Sequence, residues 1–150
     1  MTASERTGAM DGGCTCGHLR YRLAAAPMFV HCCHCRWCQR ETGSAFALNA
    51  LVESDRVLLL SGTIEAVDTP SASGKGQTIV RCPRCRVAVW SHYAGAGKAV
   101  SFVRVGTLDE PDRVTPIEVE PEEVRRTLQP LDPPGHHHER WEEPTGGQGP

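Results

Sequence analysis

The sequence has few aromatic residues and no long apolar run. Its 150 residues include three Trp, two Tyr and three Phe. Large rings supply much of the apolar surface that a protein core buries, so we expect a small core that needs a further source of stability. No stretch reaches the roughly 18 apolar residues of a membrane-spanning helix, and residues 1–13 lack the apolar segment of a signal peptide. These absences predict a cytoplasmic protein without a membrane anchor.

The sequence also lacks an excess of charge of either sign. Sixteen Lys and Arg residues stand against 18 Asp and Glu residues, which gives a formal net charge of −2 and an isoelectric point near 6.4. Proteins that bind nucleic acids or anionic membranes by electrostatics carry a basic patch or stripe. We therefore expect neither a nucleic acid nor a membrane as a partner.

Cysteine, in contrast, is abundant. The chain contains eight cysteines in three groups: a pair at 14 and 16, four within residues 32–38, and a pair at 82 and 85. In a reducing compartment such clusters bind metal ions more often than they form disulfides. Metal binding is therefore the leading hypothesis for the cysteines, and their spacing decides how they divide between ions.

The two outer pairs predict a structural zinc site. A structural zinc ion takes four ligands, commonly as two short-spaced pairs that the fold brings together. The four thiolates would come from Cys14, Cys16, Cys82 and Cys85. Such a site joins the start of the domain to its later half, and zinc binding of this kind contributes about 10 kcal/mol or more to folding.

Two other interpretations of the late pair stay open. Cys82 and Cys85 match the spacing of a thioredoxin-like redox pair, although the strand-like residues 87–90 that follow disfavour this interpretation. Alternatively, Cys35 and Cys38 could combine with the late pair as a zinc ribbon.

The middle group predicts a second and different site. Adjacent residues of an extended chain point to opposite faces, so Cys32 and Cys33 are not expected to reach the same ion. Cys33 and Cys35 share a face, and a turn at residues 36–37 would fold Cys38 back toward them. Three protein ligands leave a fourth position for water or substrate, which is typical of catalytic zinc. The alternative is a structural site closed by a fourth ligand such as His31, His34 or Cys32.

The type of ligand indicates the type of chemistry. Three thiolates leave a zinc complex formally anionic, so a bound water is less acidic there than at a site of three imidazoles. A thiolate-rich ion suits a substrate thiol, which loses its proton on binding. We therefore expect the making or breaking of a carbon–sulfur bond rather than hydrolysis.

The remaining pattern predicts a mainly β domain with one or two short helices. Residues 18–23 alternate, which places Leu19, Tyr21 and Leu23 on one face of a strand. Further short strands separated by turns are expected at 28–31, 45–52, 57–60, 64–67, 78–80, 87–90 and 99–105. Short helices are expected at 36–42 and 121–128, a loop at 70–76, a loose leader at the start of the chain and a disordered tail at 129–150.

Four segments resemble a known family. They are residues 12–21 (GGCTCGHLRY), 33–46 (CHCRWCQRETGSAF), 82–85 (CPRC) and 106–109 (GTLD). They are similar in content and order to the glutathione-dependent formaldehyde-activating enzymes (GFA), whose domain is shared with centromere protein V (CENP-V). The resemblance covers roughly residues 12–120.

The resemblance implies a fold and an activity. It implies the Mss4-like fold, in which zinc stitches short antiparallel sheets together. Together with the small, polar composition of the first residues, it divides the chain into a flexible leader at 1–11 and a zinc domain at 12–128. It implies two zinc ions per chain: a structural ion at Cys14, Cys16, Cys82 and Cys85, and a catalytic ion at Cys33, Cys35 and Cys38. The implied activity is that of a carbon–sulfur lyase acting on a small thiol such as glutathione or its aldehyde adduct.

Two further expectations follow from the residues themselves. Family members usually have Gly after the late cysteine pair, and Arg86 at this position costs about 1 kcal/mol if its φ is positive. The arginines at 20, 22, 36 and 40 are candidates for binding the carboxylates of a peptide-like thiol, although solvated strand faces explain most of them equally well. The alternative function is a non-catalytic zinc-binding interaction module in which both zinc sites are structural.

Overall fold

The computed structural model describes residues 8–114 as two antiparallel sheets with one short α-helix. The mainly β prediction is thereby confirmed. The elements are β1 (Met10–Gly13), β2 (Arg20–Leu23), β3 (Phe29–Cys33), α1 (Arg36–Thr42), β4 (Ala47–Glu53), β5 (Val57–Ser61), β6 (Glu65–Thr69), β7 (Gln77–Arg81), β8 (Ala88–Tyr93) and β9 (Val100–Arg104). No helix within this range is long and apolar enough to cross a membrane.

The smaller sheet contains three strands in the order β1–β2–β5. Leu19, Tyr21 and Leu23 are fully buried, as the alternating pattern predicts. Their neighbours Arg20 and Arg22 are at least partly exposed and face away from the core. The apolar side of this sheet therefore forms one wall of the core.

The end of the expected leader is a strand instead. Residues 10–13 form β1, which pairs with β2 in the register Met10↔Leu23 to Gly13↔Arg20. Asp11 also accepts two hydrogen bonds from Arg22, at 2.7 and 2.9 Å. These long-range partners hold a glycine-rich segment in extended form, although its own composition favours a loop.

The larger sheet contains six strands in the order β3–β4–β9–β8–β7–β6. One of its faces packs on the smaller sheet through apolar residues such as Val52, Val80 and Val103, and the Trp90 ring meets Tyr21 edge-on with 5.5 Å between the ring centroids. The opposite face, called here the polar face, carries buried polar side chains among apolar ones. On this face, Asn49 of β4 lies beside Arg104 of β9, and both side chains are buried.

The helix lies on this polar side of the larger sheet. It begins after Cys35, whose sulfur accepts a hydrogen bond from the Cys38 N–H, and ends at Gly43 in the left-handed conformation at φ 66°. An ion pair between Glu41 in α1 and Arg81 in β7 connects the helix to the sheet. The prediction of a helix at 36–42 is confirmed, whereas the predicted helix at 121–128 and the tail at 129–150 lie outside the described residues.

Candidate metal centres

Four cysteines from the two ends of the domain form one compact group, the outer cluster. Its members are Cys14, Cys16, Cys82 and Cys85, whose sulfur atoms all lie within 4.8 Å of one another. The Cys14–Cys16 and Cys16–Cys82 sulfur distances are 3.5 and 3.7 Å. Tetrahedral zinc with Zn–S bonds of about 2.3 Å requires sulfur atoms about 3.8 Å apart. The cluster therefore fits a zinc ion, and it combines the two pairs that spacing predicted rather than those of a zinc ribbon.

Backbone N–H groups donate hydrogen bonds to sulfur atoms of the outer cluster. Leu19 N–H donates to the Cys14 sulfur at 3.3 Å, and Arg84 N–H donates to the Cys82 sulfur at 3.4 Å. Hydrogen bonds from the backbone N–H of Val87 and of Cys16 lower the pKa of Cys85 to about 6. Because such bonds favour the thiolate form, the lowered pKa values of Cys14 and Cys85 prepare these two sulfurs to act as metal ligands.

Arg86 follows the outer cluster in a conformation that suits glycine. Its φ is 67°, and within residues 8–114 it is the single non-glycine residue with a positive φ. The turn requires this conformation because the Arg86 N–H donates to the Cys82 carbonyl at 2.9 Å. Arg86 therefore has the positive φ that is unfavourable for a residue with a Cβ atom. Its side chain forms an ion pair with Glu65.

Three cysteines form a second group, the central triplet, on the polar face of the larger sheet. Cys33 ends β3, Cys35 caps α1, and Cys38 lies in the first turn of that helix. Their sulfur atoms also lie within 4.8 Å of one another. No other Cys, His, Asp or Glu among residues 8–114 joins them within that distance. The described part of the chain thus offers this site three ligands.

The residues considered as a fourth ligand lie elsewhere. Cys32 points to the opposite face of β3, as the alternation predicts, and its sulfur lies 3.3 Å from Nε2 of His34. His31 shares the face of Cys33 but does not belong to the group of mutually close ligand atoms. Its Nδ1 is buried without a hydrogen-bond partner in the described residues. None of the three closes the central site.

A cavity of about 340 Å³, the thiol cavity, opens above the central triplet. Its walls include the rings of Trp37, Tyr93 and Phe102, together with Ser71 and Gln77. Trp37 is 45% exposed, so it forms a wall of the cavity and not part of the core. Small-molecule sites commonly combine apolar and aromatic walls with a few polar groups, and this cavity has that composition next to three thiols.

The thiols of the central triplet differ in acidity. Hydrogen bonds from the Cys38 thiol and from Cys35 outweigh burial and lower the pKa of Cys33 to about 5. The same bond with Cys33, together with burial, raises the pKa of Cys38. One thiolate is therefore favoured in the triplet before any metal ion binds, and a bound cation would favour the others.

Two residues near the central triplet carry no recognisable motif. Tyr93 places its hydroxyl oxygen 3.9 Å from the Cys38 sulfur, and burial raises its pKa to about 12, so it remains protonated at neutral pH. Behind it, the buried Arg104 guanidinium donates to Asn49 and, at 2.9 Å, to Ser91. In the sequence, the signal that could have identified these residues is a polar side chain within an otherwise apolar strand.

The arginines expected to bind a substrate lie away from the thiol cavity. Arg20 pairs with Asp109, and Arg22 pairs with Asp11, both on the smaller sheet. Arg36 and Arg40 are exposed on α1 and do not line the thiol cavity. Arg20 and Arg22 fit the alternative of a solvated strand face, because residues that alternate with core positions on β2 face the opposite side of that sheet.

The sequence and the fold were compared with known proteins. A family model described as glutathione-dependent formaldehyde-activating enzyme matches residues 9–121. The fold is similar to the crystal structure of a protein from Rhodobacter sphaeroides, with a TM-score of 0.51 and 17% sequence identity, over 77% of this chain and 94% of that chain. At such identity the likeness shows the fold alone. No curated protein matches the sequence.

Proposed function

The chain belongs to the family of glutathione-dependent formaldehyde-activating enzymes, and we propose that it is a zinc-dependent carbon–sulfur lyase. The substrate is a small thiol or its S-hydroxymethyl adduct, such as that of glutathione. One observation carries the proposal: three thiols converge at the thiol cavity, and no fourth ligand from the described residues closes the site.

Each cysteine cluster has a separate role in this proposal. The outer cluster holds a structural zinc ion that ties the turn between β1 and β2 to the turn after β7. The central triplet of Cys33, Cys35 and Cys38 holds the catalytic zinc ion. When bound there, zinc supplies a Lewis acid that stabilises a substrate sulfur as thiolate.

The residues around the triplet orient the adduct and limit its contact with water. The aromatic walls formed by Trp37 and Phe102 suit the methylene groups of a thiol, and Tyr93 offers a hydroxyl donor beside Cys38. The reaction breaks the carbon–sulfur bond of the hemithioacetal, forms the carbonyl of formaldehyde and transfers one proton from the hydroxyl to sulfur. The reverse direction forms the same adduct from the same parts.

Exchange of formaldehyde with glutathione tests this function. NMR exchange spectroscopy with carbon-13 formaldehyde measures the rate of adduct formation and breakdown with and without the zinc-loaded protein. We expect acceleration in proportion to protein concentration, its loss in Cys35→Ser, and its retention in Cys32→Ser. Cys32 is a matched control because it lies next to the triplet in sequence but outside it in space. Absence of acceleration by protein that holds two zinc ions would contradict the proposal.

One observation favours the alternative of a non-catalytic interaction module. Leu58, Leu59 and Leu60 are each 44–47% exposed on β5, which forms an edge of the smaller sheet. Exposed apolar residues on an unpaired edge are typical of surfaces that bind another protein. This alternative predicts no exchange activity in the wild-type protein, whereas the lyase proposal predicts full exchange activity in Leu58→Ser as well as in the wild type.

A further inference from the structure

We propose that the buried guanidinium of Arg104 is the counter-charge of the central triplet, and that it favours a negatively charged sulfur ligand over a neutral ligand at the open metal position. This inference rests on the proposed function and deepens it. Arg104 does not line the thiol cavity, so it is a positioning residue that acts on the site through the Tyr93 hydroxyl.

Arg104 is a cation in the protein interior without an acidic partner. It is 8% exposed, and no Asp or Glu within residues 8–114 forms an ion pair with it. Its guanidinium donates to the side-chain oxygens of Asn49 and, at 2.9 Å, of Ser91, which are both neutral. Its Nε is buried without a hydrogen-bond partner among the same residues. A buried ion is costly unless an opposite charge compensates it.

The carboxylate that shares a cavity with Arg104 is already neutralised. Glu41 of α1 and Arg104 both line a cavity of about 430 Å³, but Glu41 forms an ion pair with Arg81. Burial and the positive charge of Arg104 lower the pKa of Arg81, so the two guanidinium groups lie close enough to repel each other. Two cations and one carboxylate leave this part of the larger sheet with an uncompensated positive charge.

Tyr93 connects Arg104 to the central triplet. Ser91 and Tyr93 lie two residues apart on β8 and therefore share a face of that strand. Arg104 binds Ser91, and the Tyr93 hydroxyl lies 3.9 Å from the Cys38 sulfur. Burial raises the pKa of Tyr93, whereas the charge of Arg104 and a hydrogen bond with it oppose this rise. Because a phenol oxygen can accept one hydrogen bond and donate another, Tyr93 carries the influence of the guanidinium to sulfur.

The benefit of this positive charge depends on what enters the open position. Three thiolates make a zinc complex formally anionic, and a further sulfur ligand that binds as a thiolate adds another negative charge. A neutral ligand such as imidazole adds none. A fixed cation in a region of low dielectric constant stabilises the more negative complex more strongly. Arg104 should therefore strengthen thiolate binding and have little effect on a neutral ligand.

Spectral titration of the cobalt-loaded protein tests the inference with two ligands that differ in charge. 2-Mercaptoethanol binds as a thiolate and imidazole binds as a neutral molecule, and cobalt in the closed outer cluster has no position for either. We expect Arg104→Met to weaken 2-mercaptoethanol binding by about tenfold, because unit charges about 10 Å apart interact this strongly at an effective dielectric constant of about 20. Imidazole binding should be unchanged. Arg104→Lys keeps the charge and should restore most of the thiolate affinity.

Asn49→Asp is a second variant, which neutralises Arg104 without removing it. Asn49 Oδ1 already accepts a hydrogen bond from Arg104, and Asn49 Nδ2 has no partner within the described residues. An aspartate of the same shape therefore keeps the bond and adds the missing negative charge. We expect the same selective loss of thiolate binding as in Arg104→Met. This variant decides the question if Arg104→Met fails to fold, which loss of the ion from the outer cluster would reveal.

Arg20→Met is the control, because Arg20 is a cation that pairs with Asp109 on the smaller sheet. It should leave both affinities unchanged. Undiminished thiolate binding in Arg104→Met or Asn49→Asp overturns the inference, and so does an equal loss of thiolate and imidazole binding. A loss in Arg104→Lys as large as in Arg104→Met also overturns it, since the charge is then not what matters. In these cases thiol binding by the wild type leaves the proposed function intact, whereas no thiol binding by the wild type overturns both.

Discussion

The hydroxyl oxygen of Tyr93 lies 3.9 Å from the sulfur of Cys38, across 55 residues of sequence. The Tyr93 ring is held from the side by Phe102, with 4.6 Å between the ring centroids. Because burial raises the pKa of Tyr93 to about 12, the hydroxyl acts as a donor toward sulfur at neutral pH. Hydrogen bonds from outside the ligand set orient metal ligands and tune the charge that they carry.

Tyr93→Phe should weaken zinc binding at the central triplet by about tenfold, the lower end of the range for such partners. The change removes the donor to Cys38 and keeps the ring that packs on Phe102. Competition with a chromophoric chelator measures the affinity. Tyr21→Phe is the control, since it removes a buried hydroxyl that bonds to Thr107 at 2.7 Å on the smaller sheet. Equal effects of the two variants on zinc affinity would contradict a direct role for Tyr93.

The purified protein should contain two zinc ions per chain, and the two clusters should differ in what their loss does. Cys82→Ser should remove one ion and lower the free energy of unfolding by several kcal/mol, because the outer cluster joins Cys16 to Cys82 across 66 residues. Cys35→Ser should remove the other ion with a smaller loss of stability. Elemental analysis and denaturant unfolding measure both effects. If Cys35→Ser unfolds the protein as severely as Cys82→Ser, the central triplet is structural.

Arg86→Gly should stabilise the protein relative to Arg86→Ala by about 1 kcal/mol. Both variants remove the ion pair with Glu65, so they differ only in the free-energy cost of a positive φ. A Cβ atom raises this cost by about 1–2 kcal/mol. The greater conformational freedom of glycine in the unfolded chain partly offsets the gain from glycine. Denaturant unfolding of the zinc-loaded variants measures the difference. An alanine variant at least as stable as the glycine variant would show that the turn relaxes away from φ 67°.

The smaller sheet should lose stability in acid through Asp11 and Asp109. Hydrogen bonds from Arg22 and Arg20, respectively, hold the pKa values of these carboxyls below the ordinary 3.8. A carboxyl with a lowered folded pKa stabilises the protein above its unfolded pKa, and this contribution disappears as pH falls through the folded value. The relevant window therefore lies below about pH 4.

Asp109→Asn should accordingly lower the free energy of unfolding at pH 7 by at most about 1 kcal/mol, since the pair is partly exposed. The difference from wild type should narrow as the pH falls below about 4, as measured by urea unfolding at each pH. Asp55→Asn is the control, because Asp55 is 81% exposed and lies 3.9 Å from its partner Arg56. A difference that grows as the pH falls would contradict the assignment.

Much of the fold could be predicted because local patterns encode it. The helix at 36–42 follows from the turn between two cysteines and from Gly43, which accepts the left-handed conformation that ends it. Strand β2 follows from alternation, which needs no knowledge of a partner. Strand β1 could not be predicted in this way. A Cβ atom at Gly12 would lie 2.5 Å from the Tyr21 ring, so this glycine serves a close contact that only the paired structure contains.

The spacing of the cysteines by itself determined the candidate groups, because short-spaced pairs and the turn at 36–37 restrict where sulfur atoms can point, but it left open a zinc ribbon of Cys35 and Cys38 with Cys82 and Cys85. It did not determine whether the central triplet has a fourth ligand, or what surrounds it. Tertiary structure decided that Tyr93 lies beside Cys38, that Ser71 and Gln77 line the thiol cavity, and that Arg20 and Arg22 lie elsewhere. Residues far apart in sequence meet only when the two sheets pack, and the register of the strands then selects which side chains share a face.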